Sequence, residues 1–137
     1  MRFLYAITLL LIAFGTGLHK GYAQTPERVL DEVTESLVDG DPDKLSRHFS
    51  ERVEVTVLGK RQTLSKTQAT YVIRDFFTNY PPDSFNTLHT GESNGTKYAL
   101  GVLRSEKGLF EVNIFIQVSD TRINEIRFER SNSATRQ

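Results

Sequence analysis

Between Ser65 and Tyr80 apolar residues recur in steps of three and four. Ala69, Val72, Ile73, Phe76, Phe77 and Tyr80 give a helix one almost wholly apolar face. Ser65 and Gln68 have the spacing of a capping box, and Pro81-Pro82 ends the helix, because proline restricts its predecessor and offers no amide proton. Upstream, Val29, Leu30, Val33 and Leu37 mark an amphipathic helix that starts at Thr25-Pro26 and ends near Asp39-Gly40. Asp41 and Pro42 open a second helix, with Leu45 and Phe49 directed inward and His48 late in its course. After Ser50 the period drops to two: Val53, Val55 and Val57 alternate with Glu54 and Thr56, as in a half-buried strand. Leu58-Gly59-Lys60 then turns the chain into a short return strand.

Beyond Pro82 the pattern is strand after strand. Phe85 to Gly91 forms one whose facing the alternation leaves open. Asn94-Gly95 is a strong two-residue hairpin signal, since both residues tolerate positive φ. In the next strand Tyr98, Leu100 and Val102 share one face, and Lys97, Ala99, Gly101 and Leu103 the other; the bulkier set is expected to point inward. Glu106-Lys107-Gly108 makes a second hairpin. The longest strand follows, with Phe110, Val112, Ile114, Ile116 and Val118 on one face and Leu109, Glu111, Asn113, Phe115 and Gln117 on the other. Ser119-Asp120 leads into a last strand carrying Ile123, Ile126 and Phe128. Residues 131–137 are small and polar and are expected to form a disordered tail. Helices grouped before strands predict an α+β domain over residues 24–130, with helices packed on one face of a curved, mostly antiparallel sheet.

The start of the chain follows a different pattern. Arg2 precedes an uncharged apolar run from Phe3 to Phe14, shorter than the roughly 20 residues a bilayer span needs. Gly21 and Ala23 place small residues before a cut, so residues 1–23 read as a secretory signal peptide. An uncleaved inner-membrane anchor is the alternative. Once cut, the chain is expected to be exported, periplasmic or secreted, with no stable membrane anchor. The whole chain balances 17 basic against 17 acidic residues, and losing Arg2 and Lys20 leaves it slightly acidic with no basic run. That gives nucleic acid no electrostatic footprint. With no cysteine there are no disulfides, no thiolate metal ligands and no acylated lipoprotein cysteine.

Leu37, Gly40-Asp41, Leu45, Phe49-Ser50, Val53 and Val55 together resemble the opening of nuclear transport factor 2-like domains. Five further stretches carry a closer likeness: Phe49–Lys60 (FSERVEVTVLGK), Ser65–Ala69 (SKTQA), Asp75–Phe85 (DFFTNYPPDSF), Lys97–Leu103 (KYALGVL) and Ile126–Arg130 (IRFER). On these the chain is identified as a member of domain of unknown function 4783, an exported family common in Bacteroidota. The resemblance implies three N-terminal helices in the concave face of a bent sheet, a cone with a pocket, and no assigned activity. Superfamily members often dimerise through the outer face of the sheet.

Some members of that superfamily are isomerases, dehydratases or cyclases with an acid or base inside the cone. Such a group must be desolvated to work near neutral pH. Here Glu54, Glu111 and Glu125 fall opposite the apolar sets of their strands, leaving Tyr98 as the polar side chain expected to point inward. The pocket candidates are Tyr98, His48 and His89, with Tyr71 and Asp75 on the central helix. His48 and His89 lack metal-ligand spacing with the acids, and no phosphate loop or nucleophile elbow occurs, so no catalytic residue, metal or cofactor is assigned. Ala99, Gly101, Leu103, Leu109 and Phe115 are expected on the sheet face away from the helices, as an apolar interface. The sequence therefore favours a non-catalytic exported domain that forms a homodimer or binds a small apolar ligand or envelope partner. The alternative is a pocket enzyme of the lyase or isomerase type, using Tyr98 with His48 or His89.

Overall fold

The computed structural model describes residue 21 and residues 23–132 of the chain. The predicted signal segment, but for Gly21 and Ala23, and the predicted tail, but for Ser131 and Asn132, lie outside the described residues. In chain order the elements are α1 (Pro26–Asp39), α2 (Pro42–Ser46), β1 (Phe49–Val57), β2 (Lys60–Ser65), α3 (Lys66–Asn79), β3 (Pro82–Ser93), β4 (Thr96–Ser105), β5 (Gly108–Gln117) and β6 (Arg122–Arg130). The six strands form one curved sheet in the order β2-β1-β6-β5-β4-β3, and the helices pack on one of its faces. Among the described residues no helix is long and apolar enough to cross a membrane.

The helix ends follow the capping signals. Thr25 Oγ1 accepts from the Arg28 amide at 3.2 Å, and Asp41 Oδ1 accepts from the Asp43 and Lys44 amides, both at 3.0 Å. Both arms of the Ser65–Gln68 box close, at 3.2 and 3.1 Å. The second helix is shorter than its pattern predicts. His48 and Phe49 lie beyond its end, and Phe49 opens β1 instead of facing inward from a helix. The His48 carbonyl accepts from the Ile123 amide at 2.7 Å, and Phe49 pairs with Ile123, so pairing with the last strand ends the helix.

All neighbouring strands are antiparallel except β1 and β6, which run parallel. The last strand thus inserts between the first hairpin and the β3–β5 meander, a long-range pairing that no local pattern announces. Irregularities in register at Thr87/His89 of β3, at Phe115/Ile116 of β5 against β6, and between Phe49 and Glu54 of β1 add local bends. They also explain two odd spacings. Ile123 and Ile126 are both buried although three residues apart. In β3, Asn86 and His89, also three apart, share the face of their partners Val102 and Leu100, while Leu88 between them is skipped by the pairing and stands 65% exposed.

On the helix-covered face an aromatic cluster joins α3 to β5 and β6. The Phe76 ring lies 5.1 Å from that of Phe110 and 4.7 Å from that of Phe128, and Tyr80 lies 4.7 Å from Phe110. Val29, Val33 and Leu37 of α1 and Leu45 of α2 extend this core.

The structure reverses the predicted facing of β4. Ala99 and Leu103 are buried, as is Gly101, and all three belong to the helix-covered face, while Tyr98, Leu100 and Val102 stand half-buried on the other. Cross-strand partners share a face, and Ala99, Gly101 and Leu103 pair with Ile114, Val112 and Phe110, the buried set of β5. Small residues suit the inward positions because the Phe85 ring lies directly over Gly101.

Candidate functional site

The helix-free face of the sheet is the most distinctive surface. The registers place Gly91, Tyr98, Phe115, Glu125 and Glu54 in one row across five strands. A second row runs His89, Leu100, Asn113, Arg127, Thr56 and Arg61, and a third runs Asn86, Val102, Glu111 and Glu129. Tyr98, Leu100, Val102 and Phe115 are therefore contiguous, half-buried and apolar, with charges of both signs beside them.

The side chains of the first row are held in place. The Tyr98 ring lies across Gly91, where a Cβ would collide with it, and its hydroxyl is 3.5 Å from His89 Nε2. The Arg127 guanidinium stands 5.5 Å from the centre of the Phe115 ring and pairs with Glu125. Glu54 accepts from Arg61 at 2.7 Å, and this hydrogen bond, ahead of weaker help from Glu125 and Arg127, holds its carboxyl below the usual range. The other Glu54 oxygen, Oε1, is buried with no hydrogen-bond partner among the described residues.

Of the predicted interface residues, Leu109 and Phe115 lie on this face, and Ala99, Gly101 and Leu103 belong to the core instead. Of the predicted pocket residues, Tyr98 and His89 come together, but on the helix-free face and not within a cone; His89 is exposed. Tyr71 and Asp75 lie on the exposed side of α3, beside a groove of about 350 Å³ between that helix and β2. The helix-covered space against β5 and β6 is occupied by the packed rings of Phe76, Phe110, Phe128 and Tyr80. Among the described residues no three His, Asp or Glu side chains gather as a metal-ligand set.

His48 stands apart from the other four candidates, in the turn between α2 and β1. Its Nε2 lies 3.1 Å from Glu32 Oε2 of α1, and the residue is 8% exposed. Burial is the largest influence and lowers its pKa; Glu32 opposes this, while Arg122 on β6, Arg47, and Lys66 on α3 reinforce it. A histidine whose folded pKa is depressed binds its proton more readily when unfolded. Its contribution to stability is complete above the ordinary value of about 6.5 and falls as pH drops through that value toward the folded pKa. The urea midpoint is expected to decrease between pH 7.5 and 5.5, a window above the ordinary carboxylate range, and His48→Asn is expected to flatten that decrease. Equal pH dependence in both proteins would show that His48 is not the group responsible.

Residues 30–129 match the family described as "Domain of unknown function (DUF4783)". A DUF4783 family protein from Bacteroides ovatus is similar at 26% identity, over 74% of this chain and 94% of its own, with a TM-score of 0.70. A second, from Bacteroides uniformis, is similar at 24% identity over 74% and 96%, also with a TM-score of 0.70. An NTF2-like protein of unknown function from Cytophaga hutchinsonii shares only 6% identity, over 82% and 96%, at a TM-score of 0.60. That likeness is one of fold alone. No curated protein matches the chain.

Proposed function

The chain belongs to the DUF4783 family, and from that premise we propose that it is an exported, non-catalytic domain that pairs with a second copy through the helix-free face of its sheet. The observation that carries this reading is the contiguous row of Tyr98, Leu100, Val102 and Phe115, apolar and half-buried in a single chain. A two-fold interface must complement itself. The same face carries Arg104 and Arg127 together with Glu111, Glu125 and Glu129, acids and bases alternating along β6, so a second copy can set acids against bases. On this reading the helices fill the hollow of the bent sheet, and the row stands on its convex side. The packed rings around Phe76 argue against an apolar ligand inside the cone, and the closeness of Tyr98 to His89 on an open surface gives neither group the desolvation that catalysis needs. The signal-like segment supports export.

Phe115→Glu tests the interface. It places a carboxylate beside Tyr98 and Glu125, its register neighbours. Light scattering across a concentration series is expected to show a wild-type dimer and a variant whose dissociation constant rises by about thirtyfold or more, the effect of losing a hot-spot aromatic. The variant's circular dichroism should match the wild type. An unchanged mass at every concentration would rule out this face as the dimer contact. Specific capture of an envelope protein by a monomeric wild type would replace the homodimer with a heterologous partner.

A further inference from the structure

We propose that the groove between α3 and the edge strand β2 is a carbohydrate-binding site in which Tyr71 is the stacking platform. The inference is independent of dimerisation, since the groove lies on the helix side of the sheet and the apolar row on the other. Tyr71 is 64% exposed, a large amount of unburied aromatic surface for a residue in the middle of a helix. Its ring is nonetheless constrained. The Arg74 guanidinium stands 5.4 Å from the ring centre, and Arg74 is itself tied to Asp43 of α2 at 2.8 Å. Arg74 belongs to a separate hollow on the α2 side of Tyr71 and does not line the groove toward β2. The ring is thus braced from one side and presented to the groove on the other.

The composition of that groove selects its ligand. Its volume, about 350 Å³, is at the small end of ligand sites, which run from roughly 300 to 1,000 Å³. Val57 and Val72 supply apolar surface, and Lys60, Gln62 and Asp75 supply hydrogen-bonding groups. Lys60 and Gln62 pair with Val57 and Val55, which sets them on the side of β2 that faces α3. Asp75 lies one helical turn beyond Tyr71, on the same stripe of α3.

Pyranose rings present one face of C–H groups and an equator of hydroxyls. The aromatic ring fits the first. A carboxylate that only accepts, an amide that does both and an ammonium that only donates fit the second. An anionic ligand would face Asp75, with Lys60 the sole cation lining the groove among the described residues. A purely apolar ligand would leave three polar groups unpaired, at a cost in affinity. A proline-rich peptide needs a groove lined by several aromatic residues, and among the described residues Tyr71 is the only aromatic one lining this groove.

The test is a printed array of neutral and N-acetylated oligosaccharides probed with the purified protein, followed by calorimetry with the best-bound soluble sugar. Binding is expected on the array. Tyr71→Ala should weaken it by about tenfold or more, and Tyr71→Phe, which keeps the platform, should leave it within about threefold. Asp75→Asn should weaken binding less than Tyr71→Ala, because the amide retains an acceptor. Tyr71 is exposed enough that its variants should fold, and unchanged circular dichroism verifies this. Three results would overturn the proposal: no binding above background on the array, binding that Tyr71→Ala leaves intact, or Tyr71-dependent binding confined to a proline-rich control peptide.

Discussion

Gly101→Val is expected to cost at least about 3 kcal/mol, the upper part of the range for overpacking a filled core, and to lower the unfolding midpoint by roughly 10 °C or more. A Cβ built at Gly101 falls well inside contact distance of the Phe85 ring and 2.7 Å from the Asn86 carbonyl oxygen. The ring could turn aside, but the carbonyl belongs to the backbone of β3 and cannot move without disturbing the pairing of Asn86 with Val102. Valine adds two further methyl groups to the same space. Gly91→Ala is the informative control. Its Cβ would meet only the Tyr98 side chain among its three nearest atoms, and a half-buried side chain can turn aside at less cost than a strand backbone can shift. A smaller loss is expected there, on the order of 1 kcal/mol. Thermal melts of both variants decide the point. Equal midpoints would mean that the Asn86 backbone yields as easily as a side chain, and the tight β3–β4 contact would not be a stability determinant.

The same pair of glycines shows how far the sequence could be read. Helix starts were legible because capping is local: Thr25, Asp41 and Ser65 each bond an amide within three residues. The facing of β4 was not, because a strand of alternating apolar residues with another apolar set on its opposite side does not say which set is buried. Bulk favoured Tyr98, Leu100 and Val102, yet the inward positions belong to Ala99, Gly101 and Leu103. One local signal could have settled it. The loop between β4 and β5 has two residues, Glu106 and Lys107, so Ser105 pairs with Gly108 and Leu103 with Phe110. Once the faces of β5 are assigned, loop length fixes those of β4. Taking the turn as the three residues Glu106-Lys107-Gly108 would instead pair Val102 with Val112 and Leu100 with Ile114, and so turn the wrong set inward. The parallel β1–β6 contact and the capture of His48 by Ile123 were beyond local reading, since both join residues far apart in the chain.

The candidate surfaces divide along the same line. Tyr71 and Asp75, pocket candidates by sequence, share an exposed stripe of α3 beside the groove toward β2. Phe115 was placed on the helix-free face by strict alternation against Phe110, Val112 and Ile114. Tyr98 was expected inside and stands outside, which removes the polar group that a reaction within the cone would have used and adds an aromatic ring to the helix-free face. The error in facing therefore changes the balance between functional readings as well as the list of core residues.

Phe76→Ala should produce a loss of about 3–5 kcal/mol, the range for truncating a buried aromatic residue, with a midpoint roughly 15 °C lower. Phe76 is 2% exposed and its ring meets those of Phe77, Tyr80, Phe110 and Phe128 at 4.7–6.0 Å. Its ring reaches both β5 and β6, so its removal leaves a cavity bounded by two strands and a helix. The strands are held by backbone ladders and cannot collapse inward; any relaxation must come from α3 itself. Sheet pairing should survive longer than helix docking as the variant is destabilised, and hydrogen exchange should accelerate in residues 66–79 before it does in β4 and β5. That ordering also bears on the carbohydrate site, because Tyr71 and Asp75 are carried by α3 while Lys60 and Gln62 are carried by β2. At a temperature where the Phe76 variant remains folded, sugar affinity should fall although no ligand contact has been removed, and the Phe115 interface should be unaffected. Exchange that accelerates uniformly across sheet and helix would instead make α3 and the sheet one cooperative unit, and affinity would then be lost only with global unfolding.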